Sequence, residues 1–595
     1  MQRYKRTGIL LSLFVIAVGS AFAHVDGRPS IHDTLASIVD RLRSTHSAEE
    51  LKAMTVEDVV EALTDEEREN LGTEYWSFNV DKPVTVYVMR HQEQNEVPFW
   101  IEDQGFKKTK HTVGVNEEVY DVWEKSFETG TVGLGINGFE RRGDHYFVGI
   151  VPKKQSDSVE ITDMYPGQHK ATKFKTRAVV HADDFGNRVA SLPAFLDGQT
   201  LIRGVQDRTE ETQLVRVWRE TDYPSSSTPD QVTLTWSDDP KTTQTVQWRT
   251  NTEIGRGQVE YKLADGGETL EATAIQTVLE DPTLANDPVN HRFTAMMSDL
   301  EPGTAYTYKV GDGDHWSDWA EFTTAPDKTV PFKFIYMGDA QNGLDAWGVL
   351  LDKAIAEETD ASFYIMAGDL VNRGIQRDDW DSFFHNANGH YDHLQLVPAI
   401  GNHEDQGSDG PWMYLDLFDL PKNGPKEITI ERAYSFEYSN ALFVVLDTNT
   451  SVKNQTEWLE QQLANSKATW KFVVYHHPAY SSAPNRNNPD VQKYWTPLFD
   501  KYRVDLALQG HDHAYLRTYP MYDGKPVDSA KEGTIYIVSV SGTKFYKQGD
   551  FEYTEFGMTN VPTYQALDIQ IDGDSMTYKS YDVKGDVRDE FVIEK

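Results

Sequence analysis

Cysteine is absent from all 595 residues. That excludes disulfides, a thiolate metal site, a cysteine nucleophile and a lipid-modified N-terminal cysteine, so any catalysis must use other groups. Basic residues are scarce. With 57 Lys and Arg against 94 Asp and Glu the formal charge is −37, which repels duplex nucleic acid from most of the surface and keeps the chain soluble. Long apolar runs are missing too. The one early run, Ile9 to Val18, follows Arg3, Lys5 and Arg6 and precedes Ala21-Phe22-Ala23, the charged, apolar and small-residue order of a secretory signal. It is short for an uncleaved anchor. Residues 1–23 are therefore expected to be cleaved near Ala23, giving a secreted or periplasmic protein with no integral membrane contact.

With 39% apolar and 12% aromatic residues, a chain this long can bury several cores and should divide into three or four units. Leu35, Ile38, Val39 and Leu42, then Val56, Val59, Val60 and Leu63, have helical spacing, with Thr55 a candidate N-cap, so 24–74 reads as a small helical segment. From about Tyr75 the period changes to two, as in Val84, Val86 and Val88, and 75–222 reads as a β-rich domain of unknown role. Pro224-Ser225-Ser226-Ser227-Thr228-Pro229 is a linker by composition. In 229–326 the alternations Val232/Leu234/Trp236, Val259/Tyr261/Leu263 and Tyr306/Tyr308/Val310 predict a small β-sandwich. From 331 to 595 apolar runs (Phe332–Met337, Phe363–Ala367, Leu396–Ile400, Leu442–Leu446, Phe472–Tyr475, Val504–Leu508, Ile535–Val540) alternate with helical stretches at Trp347–Ile355 and Val491–Tyr502. The fold class expected is multidomain: an α/β layered (αββα) sandwich domain preceded by all-β sandwich domains.

Five of those runs end in a polar cluster: Gly338-Asp339-Ala340-Gln341, Gly368-Asp369-Leu370-Val371-Asn372-Arg373-Gly374, Gly401-Asn402-His403-Glu404, His476-His477-Pro478 and Gly510-His511-Asp512-His513. The carboxyl edge of an α/β sheet is where ligands bind, and a glycine ahead of the ligand lets the chain turn and approach closely. A lone Gly-Asp or Asn-His is commonplace in loops. Five in order, each closing an apolar run, are not. Convergence of these loops would gather carboxylates, an amide and imidazoles without sulfur, a donor set suited to Mn, Zn or Fe.

The order of the five clusters resembles the calcineurin-like metallophosphoesterase superfamily over about Phe332 to Tyr546. Gly510-His511-Asp512-His513-Ala514-Tyr515-Leu516-Arg517-Thr518-Tyr519-Pro520, and the preceding sandwich with Leu300-Glu301-Pro302-Gly303-Thr304, resemble the purple acid phosphatases, whose catalytic domain follows a fibronectin-type-III-like sandwich. The resemblance implies two divalent or mixed-valence ions and metal-activated water acting on a small phosphate ester. It makes Asp369 the bridging carboxylate, assigns Asp339 and His513 to one ion and Asn402, His476 and His511 to the other, and puts His403 beside the phosphate. The loop around Arg373 also resembles that of the serine/threonine protein phosphatases, whose arginine grips phosphate; here Arg373 could do so or pair with Asp378 or Asp379. His477 is expected to pack beside the site. Two departures stand out. Asn372 replaces the tyrosine that gives purple enzymes their ferric site, and Gln341 occupies a position held by histidine in other members, as a weak amide ligand or as a support for Asp339.

The function expected is hydrolysis of phosphate monoesters. A phosphodiesterase or nucleotidase using the same residues is the first alternative, since fold and metals do not fix the substrate. A cell-surface or glycan-binding protein with an inactive phosphoesterase domain is the second, motivated by the β-rich region and opposed by retention of the six principal ligands.

Overall fold

The computed structural model describes residues 29–140, 144–154, 156–206, 208, 212–406, 410–570 and 574–595. The secretory leader expected at 1–23 lies outside them. The chain forms two units, Met1–Glu220 with Pro282–Asn286, and Thr221–Asp281 with Asp287–Lys595.

The first unit begins with four helices, Ile31–Thr45, Ala48–Ala53, Val56–Ala62 and Asp65–Thr73. Ser47, Thr55 and Thr64 each close a capping box with the acidic residue three positions on, satisfying amide donors that start such short helices. Leu35, Ile38, Val39, Leu42, Val59 and Leu71 are buried in one core with Trp76, Val86, Trp100 and Val148. The helical segment and the strand-rich region that follows are therefore packed as one body, because helices of 6 to 9 residues do not stand without tertiary burial. The strands make a three-stranded sheet centred on Trp76–Val80 and a seven-stranded sheet whose middle strand is Val84–His91. This N-terminal region is strand-rich but not all-β.

In the second unit residues 230–323 make two antiparallel four-stranded sheets around Leu234, Trp248, Phe293 and Tyr308. The remainder is two sheets with helices outside, and its elements are numbered within it. β1 (Phe332–Met337), β2 (Ala361–Met366) and β3 (Gln395–Pro398) pair in parallel. β4 (Tyr434–Tyr438) lies antiparallel to β5 (Ala441–Val445), which continues in parallel through β6 (Trp470–Val474), β7 (Leu506–Gln509) and, after β8 (Tyr515–Thr518), β9 (Ile535–Val538). β10 (Thr554–Met558) adds to β8 at that sheet's edge. The first sheet is completed by β11 (Thr563–Ile569), β12 (Ser575–Asp582) and β13 (Val587–Glu594), antiparallel to β1 and to one another.

Phe334 and Phe363 of one sheet meet Phe443 of the other edge-on, with ring centroids 5.2 Å apart in both pairs, which glues the layers with apolar area and favourable ring geometry. Helices Leu344–Glu357 and Arg377–Asn386 belong to the first sheet's side, where Trp347 stacks on Phe383 at 4.9 Å. Val452–Asn465 and the pair Pro489–Tyr494 and Thr496–Tyr502 cover the second sheet. The single helix predicted over Val491–Tyr502 is thus two. Pro497, in the first turn of the second helix, has no N–H to continue the ladder of the first,.

Candidate metal centre

Each site loop leaves a buried strand at its carboxyl end and bends at once. Asp339, Asp369, His511 and His513 all have positive φ, 48°, 54°, 76° and 47°, a conformation that side chains other than glycine seldom adopt and that clusters at functional sites. The flanking glycines are required by close approach. A Cβ on Gly401 would lie 2.2 Å from Asp369 N and Oδ1, and one on Gly510 would lie 2.5 Å from Asp339 Oδ1.

Asp369 sits between two groups of donors. Asp369, His476 and His511 form one, Asp339, Asp369 and His513 the other, each with ligand atoms within 4.8 Å of one another. In the first group His476 Nε2 is 3.2 Å from Asp369 Oδ1, from Asn402 Oδ1 and from His511 Nδ1. Adjacent ligands about 2.1 Å from a single ion are spaced by about 3 Å, so the donor set fits a cation. His476 Nδ1 donates to the Ala367 carbonyl at 2.9 Å, so loss of the other ring proton would free Nε2 for a cation. In the second group His513 Nε2 stands 4.0 Å from Asp339 Oδ2. Gln341 Nε2 donates to Asp369 Oδ2 at 2.7 Å and lies 3.3 Å from His513 Nε2. Asp339 Oδ2 is buried without a hydrogen-bond partner, an orphaned acceptor that a cation would satisfy, and Gln341 Oε1, at the other side of an amide whose Nε2 faces the site, is unpartnered too.

The electrostatics agree. Burial pushes Asp339 well above the carboxylate range, with the Asp369 charge adding to it. Asp369 is equally buried, but the charges of His476 and His403 overcome that and hold it at about 2. His476 is raised to about 10 by the two carboxylates despite its burial. A proton on His476 thus offsets negative charge that a metal ion would otherwise neutralise.

His403 donates its backbone N–H to Asp369 Oδ1 at 3.0 Å, its Nδ1 contacts the Asn372 carbonyl at 2.5 Å, and its Nε2 lies 4.0 Å from Asp369 Oδ2. Arg373 is exposed, its backbone N–H donates to Asp379 Oδ2 at 2.8 Å, and among the described residues its guanidinium makes no ion pair with Asp378 or Asp379. His477 packs on His511 at 4.2 Å between centroids, and its Nδ1 contacts Thr448 Oγ1 at 2.8 Å.

Residues missed by sequence reasoning hold this arrangement. Glu404 is fully buried and accepts four backbone N–H groups: Asp369 and Gly401 on Oε2, Leu370 and Val371 on Oε1, at 2.8 to 3.2 Å. It staples two ligand loops together, and burial with the nearby Asp369 charge lifts it to about 7. Its place in the Gly-Asn-His-Glu cluster was the available signal. Asp512, between His511 and His513, accepts from Ser482 N at 2.6 Å and Arg486 Nε at 2.7 Å, contacts that no local pattern announces.

Residues 229–324 match the family described as purple acid phosphatase, N-terminal domain, and residues 332–515 match the calcineurin-like phosphoesterases. An uncharacterised protein of Mycobacterium tuberculosis is 26% identical over 358 residues, which cover 51% of this chain and 67% of that one. Fe(3+)-Zn(2+) purple acid phosphatase 12 of Arabidopsis thaliana is 24% identical over 315 residues, 50% of this chain and 66% of that one. A solved purple acid phosphatase from yellow lupin (Lupinus luteus) seeds shares the fold with a TM-score of 0.54 at 18% identity, over 80% of this chain and 82% of that one. The matches span about two thirds of these curated relatives' own length. Residues 332–515 thus form a domain of the calcineurin-like phosphoesterase type, preceded at 229–324 by a domain of the purple acid phosphatase N-terminal type.

Proposed function

We propose that this protein is an exported phosphatase that hydrolyses phosphate monoesters at a two-metal centre. The observation that supports it most is Asp369, one carboxylate whose two oxygens face two separate donor groups. Asp339, His513 and Gln341 would hold one ion with Asp369, and Asn402, His476 and His511 the other. When bound, the ions supply the positive charge that acidifies water and stabilises the attacking and leaving oxygens of the ester.

The chain's own groups do the rest. A carbonyl can only accept, so His403 Nδ1 carries the hydrogen facing Asn372, and Nε2 is the atom left to meet the phosphate. That ring is one-fifth exposed, at the mouth of the centre, where Nε2 donates to a phosphate oxygen when the ring is protonated. Arg373 presents a guanidinium from the same loop for bidentate contact with phosphate. Glu404 keeps the loops bearing Asp369 and Asn402 in register without touching substrate.

Metal analysis of the purified protein, followed by turnover of 4-nitrophenyl phosphate and bis(4-nitrophenyl) phosphate, tests the reading. Two ions per chain and faster cleavage of the monoester are expected. Preference for the diester would shift the reading to a phosphodiesterase, and no cleavage of either ester with any of Mn, Zn or Fe would end it. Because Asn372 stands where purple enzymes carry tyrosine, iron-loaded protein should lack a tyrosinate charge-transfer band. A strong visible band would overturn that alignment. Export is tested by sequencing the N-terminus of secreted protein, expected to begin just after Ala23.

A further inference from the structure

In a chain with 94 acidic and 57 basic residues, the rim of the metal centre beside His511 and His513 gathers two cations. Arg486 is fixed there from below. Its Nε donates to Asp512 Oδ1 at 2.7 Å and its Nη2 to the His511 carbonyl at 3.2 Å, and Asp512 itself is fully buried. The facing loop after β9 has no slack either. Ser541 N donates to Gly338 O at 2.8 Å, Gly542 N to Asp339 O at 2.8 Å, Thr543 N to Asn342 O at 3.1 Å and Tyr546 N to His513 O at 3.0 Å. A Cβ on Gly542 would lie 2.3 Å from Gln341 O, so only glycine permits this approach. Lys544 is thereby carried to the same rim.

Tyr546 packs on the His513 ring at 4.9 Å between centroids. The Arg486 guanidinium lies 5.1 Å and the Lys544 ammonium 5.3 Å from the centre of the tyrosine ring. Asp512 answers Arg486, but among the described residues Lys544 has no carboxylate within ion-pair distance. Two like charges about one ring repel each other, and the ring's π face offsets only part of that. A further anion entering beside the centre would relieve it.

We infer that Arg486 and Lys544, grouped about Tyr546, form an accessory anion subsite that takes a second anionic group, a carboxylate or a phosphate, carried on the leaving-group side of the ester. Its substrate meaning rests on the phosphoesterase reading; its binding does not. The subsite favours phosphorylated acids or diphosphates over esters of neutral alcohols, through charge-assisted contacts at a half-buried rim.

Equilibrium binding to metal-loaded protein tests it, using phosphonoacetate, methylenediphosphonate and methylphosphonate as probes that are not hydrolysed. The parent should bind the first two about tenfold more tightly than the third. Lys544→Gln should cut that preference to about twofold, and Lys544→Glu should abolish it. Arg486→Lys, which keeps the charge but not the paired contacts to Asp512 and the His511 carbonyl, should fall between. Loss of preference for phosphonoacetate alone assigns the subsite to carboxylates, for methylenediphosphonate alone to phosphates, and either outcome supports it. Equal binding of all three probes by the parent, or a preference unchanged in Lys544→Gln and Arg486→Lys variants of normal melting temperature and metal content, overturns it. A parent that shows the preference yet cleaves no ester would uphold the subsite while the phosphoesterase reading fails.

Discussion

Histidines are buried in clusters in both units, where burial lowers most of them, and one ring of the second cluster, His476, behaves oppositely. In the first unit His169 stacks on Trp76 at 3.8 Å and contacts the Arg203 carbonyl through Nδ1, His145 contacts the Tyr146 carbonyl, and His181 contacts the His145 carbonyl. These partners are backbone oxygens. Burial pushes His145 well below its usual range and His169 down to about 3, so both are neutral packing groups. In the second unit His476 is just as buried but is raised to about 10, because Asp369 and Asp339 face it. Burial of imidazole therefore says little about function. Convergence on a shared carboxylate separates a ligand from a core ring.

Removing that carboxylate is the sharpest way to break the contrast. Asp369→Asn keeps the shape but not the charge, and should lose both ions and at least about a thousandfold in kcat/KM, with the circular dichroism of the parent. Metal content near that of the parent would remove Asp369 from the bridging position. The matching change in the other cluster, His169→Ala, deletes a ring stacked in a dry core. It should cost the first unit about 2–4 kcal/mol in urea unfolding while metal stoichiometry stays at the parent value. Loss of metal in that variant would mean the first cluster is no mere packing group.

A pH series sharpens the same comparison with a smaller effect. The folded-state value of His169, about 3, lies below that of an unfolded histidine near 6.5. Below about pH 6.5 the unfolded chain therefore binds a proton that the folded chain refuses. Stability is fully present above that pH and is lost as pH falls toward 3. At pH 4.5 His169 alone should remove roughly 2–3 kcal/mol, and His145 adds to it. Protection of the amides around Trp76, relative to their intrinsic exchange rates, should fall over this window, and flat protection from pH 7 to 4.5 would contradict the neutral-core assignment.

What the sequence announced follows from these physics. The seven apolar runs are strands β1, β2, β3, β5, β6, β7 and β9, legible because strands covered on both faces carry continuous apolar residues. The donors that converge, Asp339, Asp369, His476, His511 and His513, were legible because each follows such a strand closely. The closing strands β11 to β13 were not read. β12 buries only alternate residues, a weaker pattern than a continuous run. Sequence also separated the first helices from the strands after them, because periodicity reports each element and not the core it enters. Arg486 and Lys544 are 58 positions apart, and nothing local reveals that both reach the ring of Tyr546.

Within the metal centre the comparison narrows to two donor groups sharing Asp369, and Gln341 distinguishes them. His476 and His511 serve one group, whereas the other has His513 and the amide of Gln341, 3.3 Å from His513 Nε2 and 2.7 Å from Asp369 Oδ2. The amide oxygen is buried without a partner, so a half-turn of the amide would point it at a cation between Asp339, Asp369 and His513. A neutral amide oxygen is a poorer donor than imidazole to late transition metals, so this ion should leave first under mild chelation, with about tenfold weaker affinity than its neighbour. Gln341→His should recover about that factor when both proteins are compared at one pH, since imidazole must be deprotonated to bind. Turnover need not rise, because a more tightly held ion can also retain phosphate longer. Simultaneous loss of both ions from the parent, with affinity unchanged in Gln341→His, would leave Gln341 as a hydrogen-bonding support for Asp369 and make the two donor groups equal in strength.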